Sequence, residues 1–286
     1  SRYEAEYRAD LAALEDEDRL AAHADIVSPN LAKYLRACNV TTATAKEPGR
    51  LVSDFLSLLR VGSVEAYERA AKETLGCFVA TLREARKEVD PASFMAWISM
   101  GEGTASMARG MSRAYDEKLL RDMLPDIRAR VASTDERTLY DVSEMLSRAG
   151  VVLQFIEAPD GFPLHGMTRW AKSGNPVIQM TGRRKKDGFI VWTLFHEIGH
   201  VLCDEDKGSA PERSTKSRDE DEKRANSFAE RVLLGPLGMD PYRTMRWPDE
   251  IRSAAEEQGA CPGVVVNLMH RRQTLPYSLC SELLVD

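Results

Sequence analysis

Apolar residues recur at helical spacing through the first 130 positions. Ser28-Pro29 pairs an N-cap with proline at the first helical position, which predicts a helix through about Cys38. Glu47-Pro48 precedes the stripe Leu51, Phe55, Leu58 and Leu59, and Ser63 after Gly62 caps a helix through Phe78. Asp90-Pro91 opens another, carrying Phe94, Trp97 and Ile98. Glu4 to Ala22 is charged and Ala/Leu-rich and reads as helix too, whereas Arg83 to Glu88 reads as a solvated face. No fixed-period repeat occurs. Residues 1–130 therefore read as a helical domain built of short helices, with Leu, Met and aromatic residues in its core.

The pattern changes near residue 130. Ser133-x-x-Glu136 reads as a capping box before a helix that ends at Ala149-Gly150. Val151–Ile156 and Val177–Met180 are strand candidates, with turns at Asp160-Gly161 and Asp187-Gly188. Helical spacing returns with Val191, Phe195, Ile198 and Leu202. Asp204 to Asp221 is polar and acidic and reads as an exposed, flexible loop. Glu222 to Leu234 follows as a helix with Ala225, Phe228, Ala229, Val232 and Leu233 inward. Two short helices close the chain, after Trp247-Pro248 and after Pro262-Gly263. The expected fold class is α+β and mostly helical, with a small sheet confined to residues 131–286.

Composition removes whole classes of function. With 286 residues, 43% hydrophobic and 29% charged, the chain is neither collagenous, low-complexity nor disordered. A net charge of -6 lacks the broad basic footprint of a nucleic-acid binder. No apolar run reaches the roughly 18 residues of a membrane span, and the charged N-terminus is no secretory signal. Five widely spaced cysteines, an odd number without a CxxC pair, suit reduced thiols in the cytoplasm better than a disulfide framework. The chain starts at Ser1 rather than Met, so it is expected to be part of something longer.

His196-Glu197-Ile198-Gly199-His200 carries the chemistry. On a helix, residues i and i+4 share a face, so both imidazoles can reach one metal, and Glu197 sits about 100° round, within reach of a water on that metal. Catalytic zinc usually takes a third protein ligand and leaves one position open. Glu222, opening the next helix, is the first choice; Asn226, four residues on, could hydrogen-bond a ligand histidine. Asp206 is the choice if the ligand follows the second histidine by six residues, although Cys203 stands where that arrangement wants glycine. Glu220, Asp219 and Glu230 complete the alternatives. With Zn2+ held by His196, His200 and Glu222, Glu197 would take a proton from the activated water and return it to the leaving amine. His270, Tyr277 and Arg169 are candidate oxyanion donors. Cys203 reads as a small buried residue, with thiolate ligation as the sharper alternative.

Phe195-His196-Glu197-Ile198-Gly199-His200 followed by Glu222-Lys-Arg-Ala225-Asn226-Ser-Phe228-Ala229 resembles the ImmA/IrrE family of metallopeptidases. Gly166–Trp170 with Val177–Met180 is similar to that family's strand region, and Pro262–Val265 through Leu275–Ser278 to its C-terminal element. The resemblance covers about 130–286. It implies a zincin-like metallopeptidase domain at 131–286, preceded by the helical domain or linker helices at 1–130. It implies a cytoplasmic endopeptidase that cleaves a DNA-binding repressor in stress or mobile-element regulation. The alternative is an antitoxin-like transcriptional regulator whose metal domain is sensory and which touches DNA only through a helix-turn-helix missing from this chain. A homodimer is compatible with either, and neither involves a membrane. The acidic loop would favour basic segments of a protein substrate.

Overall fold

A computed structural model of the chain describes residues 16–77, 89–102, 104–182, 186–204 and 215–285. The chain divides into two compact units, one of residues 1–102 and 157–163, the other of 103–156 and 164–286. The compositional break near residue 130 lies inside the second unit. Among the described residues no helix is long and apolar enough to cross a membrane.

The first unit is helical: α1 (Pro29–Ala37), α2 (Pro48–Leu59), α3 (Val64–Cys77) and α4 (Pro91–Met100). Local sequence explains the starts. Ser28 Oγ accepts from Leu31 N at 3.2 Å, Asp90 accepts from Ser93 N at 3.1 Å, and a proline follows each cap. Leu31, Leu35, Val52, Phe55 and Ala96 are its core, and the Phe55 ring meets Tyr67 edge-on at 5.3 Å. The 157–163 segment returns to this unit. The Tyr34 hydroxyl donates to the Glu157 carbonyl at 2.8 Å, and Phe162 packs on Trp97 with ring centroids 5.1 Å apart. Of the expected helix at 4–22, residues 16–21 are helical. Its start and the Arg83–Glu88 face lie outside the described residues.

The second unit begins with α5 (Ala105–Gly110), α6 (Glu117–Ala132) and α7 (Thr138–Arg148). Here a local expectation fails. Ser133 is the C-cap of α6 rather than the N-cap of α7, and α7 starts without a side-chain cap. The Arg130 guanidinium organises the junction instead, binding the Ser133 carbonyl, Asp135, Thr138 and Asp141. Helix α7 ends as expected, with Gly150 at φ +72, where a Cβ would lie 2.5 Å from the Ala114 carbonyl oxygen.

Three strands follow: β1 (Val152–Phe155), β2 (Gly166–Trp170) and β3 (Pro176–Met180), in spatial order β1-β3-β2. β1 runs parallel to β3, Val152 opposite Val177, and β2 runs antiparallel, Thr168 opposite Ile178. β2 is thus an edge strand. Alternation sends Leu153, Ile178 and Met180 into the main core and Val152 and Val177 into a small second cluster with Met107.

Helix α8 (Asp187–Cys203) lies on the sheet, followed by α9 (Thr215–Leu234), α10 (Pro248–Glu257) and α11 (Pro262–Arg271). Asp187-Gly188 is the first turn of α8, not a turn between elements. α8 is buried on nearly every side, from Val191 and Trp192 through Phe195 and Ile198 to Val201 and Leu202. That is the signature of a core helix rather than an amphipathic surface helix.

Candidate metal centre

Helices α8 and α9 come unusually close at one point. A Cβ on Gly199 would lie 2.9 Å from Ala225 Cα and 3.2 Å from its Cβ. Only the smallest residues let the two backbones meet there. Glu222 precedes Ala225 by three residues, so the same crossing swings its carboxylate over the histidine face of α8.

His196, His200 and Glu222 each offer a donor atom, all within 4.8 Å of one another. Glu222 Oε2 lies 3.2 Å from His196 Nε2 and 3.4 Å from His200 Nε2, and the two Nε2 atoms are 3.0 Å apart. A tetrahedral zinc with bonds near 2.1 Å separates its ligand atoms by about 3.4 Å. The triangle of donors therefore fits one face of such a tetrahedron, and two imidazoles with one carboxylate are a catalytic-zinc donor set.

The far side of each ring supports this. His196 Nδ1–H donates to Asn226 Oδ1 at 3.2 Å, and His200 Nδ1–H donates to the Asp204 carboxylate at 3.1 Å. The facing atoms, Asn226 Oδ1 and the Asp204 carboxylate oxygens, are acceptors, so each ring keeps a proton on Nδ1 and turns its Nε2 into the centre. Burial opposes charge on Glu222, but its hydrogen bonds to His196 and His200 win and hold its carboxyl below the usual range. For His200, burial is outweighed by the bonds to Asp204 and Glu222, and the ring is pushed well above the ordinary histidine value.

Glu197 stands beside this triangle without joining it. It is 4% exposed on a core helix. Burial raises its carboxyl pKa, against the opposing pull of His196, His200 and the Thr168 hydroxyl. Thr168 Oγ1 donates to Glu197 Oε2 at 2.9 Å. Gly166, two residues earlier on the same face of β2, leaves room for the other oxygen: a Cβ there would sit 2.9 Å from Glu197 Oε1. The edge strand thus cradles the carboxylate from one side.

The other sequence candidates are not part of the donor group found among the described residues. His270 is buried and donates from Nε2 to the Leu279 carbonyl at 3.0 Å, with the Tyr277 ring 4.9 Å away. Tyr277 itself is 70% exposed. Among the described residues no hydrogen bond or ring contact joins either to His196 or His200. Arg169 neighbours Thr168 on β2, so alternation turns it to the opposite face of the sheet from Glu197. Glu230 pairs with Arg272 at 2.5 Å, and Asp219 and Glu220 are exposed. Asp206 lies outside the described residues. Cys203 packs on the core, and its thiol, pushed up by burial, does not join the donor group. Trp170 and Trp192 belong to the core as read.

The stretch Asp204 to Asp221 is not one loop. Thr215–Asp221 is the first part of α9, and Asp221 is buried and paired with Arg224, so it is no solvated charge. The central residues, 205–214, lie outside the described residues. Sequence reasoning missed Thr168, Gly166 and Asp204. Asp204 carried a readable signal, the same four-residue spacing from His200 that His200 has from His196. Thr168 and Gly166 carried none, because a strand and a helix 29 residues apart meet only in the fold.

Comparisons with known family models, with curated proteins and with solved structures find no match to this chain.

Proposed function

We propose that this chain is a zinc-dependent endopeptidase. The observation that carries the reading is Glu197: a buried carboxylate left out of the donor triangle yet fixed beside it by Thr168. A structural metal site needs no such group, whereas hydrolysis of an amide needs a base at that place. When bound, zinc supplies a Lewis acid and brings the pKa of a water to about 7. Glu197 then takes a proton at Oε1 while Thr168 holds Oε2. Its raised affinity for protons suits it to keep that proton and pass it to the leaving nitrogen. The edge of β2, which pairs with no further strand among the described residues, offers backbone groups for an extended peptide. The likeness of Phe195–His200 and Glu222–Ala229 to ImmA/IrrE peptidases supports a DNA-binding repressor as substrate.

The test is metal analysis combined with cleavage. Wild-type protein is expected to hold about one zinc per chain, His200→Ala to lose it and Glu222→Ala to lose most of it. Asp206→Ala is expected to keep it. Zinc lost from Asp206→Ala and retained by Glu222→Ala would reverse the ligand assignment. Incubation of the zinc-loaded protein with candidate repressors, and with Glu197→Gln as control, tests the substrate.

A smaller effect is expected at Thr168. Thr168→Val removes the bond to Glu197 Oε2 but keeps the shape of the side chain. Such bonds to charged groups contribute about 1.5–3 kcal/mol, so kcat should fall at least roughly tenfold. KM and zinc content should not change. A kcat within twofold of wild type would show that Glu197 needs no such support.

A further inference from the structure

We propose that Asp204 is a positioning residue for the metal ligand His200, so that the two histidines of the centre are held by unequal partners, one charged and one neutral. The inference rests on the metal reading above. His196 leans on the amide of Asn226, whereas His200 leans on a carboxylate whose two oxygens lie 3.1 and 3.2 Å from Nδ1. The Asp204 side chain is only 19% exposed and makes no other hydrogen bond or ion pair among the described residues.

Its location argues against a role in the scaffold. Asp204 is the C-cap of α8, with extended backbone at φ -71 and ψ 135. The C-terminal end of a helix is the negative end of its dipole, where a carboxylate is disfavoured. A residue selected to end the helix would be glycine, asparagine or a cation. Asp204 is instead a half-buried anion in the wrong field, turned back one helical turn onto the imidazole. What the arrangement gains is at His200. The carboxylate holds the proton on Nδ1, fixes the ring plane and makes Nε2 a better donor toward a cation than the amide makes its counterpart on His196. The centre thereby ties a ligand to the residue where α8 ends.

The probe is zinc alone, titrated into metal-free protein against a chromophoric chelator, with thermal unfolding of the metal-free protein in parallel. Asp204→Ala is expected to weaken zinc binding about 10–100-fold. Asp204→Asn, which keeps an acceptor and loses the charge, should fall between it and wild type. The unfolding midpoint of metal-free Asp204→Ala should fall, because the His200–Asp204 pair is lost along with its charge, so zinc affinity is compared at a temperature where both metal-free proteins are folded. Cobalt loaded in place of zinc should give an altered visible spectrum in Asp204→Ala, a signature that a purely structural role would not move. Zinc affinity equal to wild type in Asp204→Ala would overturn the proposal, as would a cobalt spectrum of Asp204→Ala identical to that of wild type. Wild-type protein that takes up no zinc would instead overturn the metal reading itself.

Discussion

Replacing Glu197 with glutamine is expected to leave zinc bound and to cut peptide cleavage by about 10²–10⁴-fold. Glutamine has the same shape and can still accept from Thr168 Oγ1, so the cradle made by β2 is preserved. It contributes nothing to the donor triangle in either form, so metal content should match wild type. What disappears is the ability to take and return a proton. Stability should move the other way. Burial raises the Glu197 pKa in the fold, so the ionised carboxylate is a cost at neutral pH. A raised carboxyl contributes favourably only below its unfolded value, and that contribution is lost as pH rises through the folded value. Metal-free Glu197→Gln should therefore be at least as stable as metal-free wild type at pH 7, with the gap closing toward pH 4. Cleavage of a repressor substrate, zinc content and denaturant melts are the measurements. Cleavage by Glu197→Gln near the wild-type rate would remove the base from the mechanism.

The second large effect is expected at Gly199, which touches no ligand. Its Cβ position is already taken: the nearest atoms are Ala225 Cα at 2.9 Å, Ala225 O at 3.0 Å and Ala225 Cβ at 3.2 Å. These are backbone or near-backbone atoms of a neighbouring helix and cannot rotate away. Gly199→Ala should force α8 and α9 apart by a few tenths of an ångström and cost about 1–3 kcal/mol, as overpacking does. Gly199→Val should cost more and carry Glu222 out of reach of both Nε2 atoms, so that zinc is lost even where the protein folds. Chemical denaturation of the metal-free proteins and zinc stoichiometry test this pair. Wild-type zinc content in a folded Gly199→Val would mean that the helix crossing does not set the position of Glu222.

Both experiments bear on what can be read along the chain. Local signals were reliable where the physics is local. Ser28 and Asp90 cap their helices because a side-chain oxygen three residues upstream of an amide finds it without help from the rest of the fold. His196 and His200 face one point because four residues are close to one helical turn. The same local logic failed at Ser133-x-x-Glu136, where a long cation, Arg130, outcompeted the box for the junction. It failed again for Thr215–Asp221, whose polar composition reads as loop. That segment is the first part of a helix whose later turns pack on α8.

Periodicity and spacing alone therefore place the two histidines on one helix face with Glu197 next to them, and give the mainly helical character and the existence of a small sheet. They favour Glu222 over Asp206 and its neighbours as the third acid, but they do not say how α9 lies against α8. The crossing at Gly199 and Ala225 brings Glu222 to both histidines. Strand order is equally tertiary. β1 pairs with β3 and leaves β2 at the edge, which brings Thr168 and Gly166 to Glu197. The reason is one of range: hydrogen bonds and helical faces repeat within a few residues, whereas close packing is decided by whichever distant side chain is small enough to allow it.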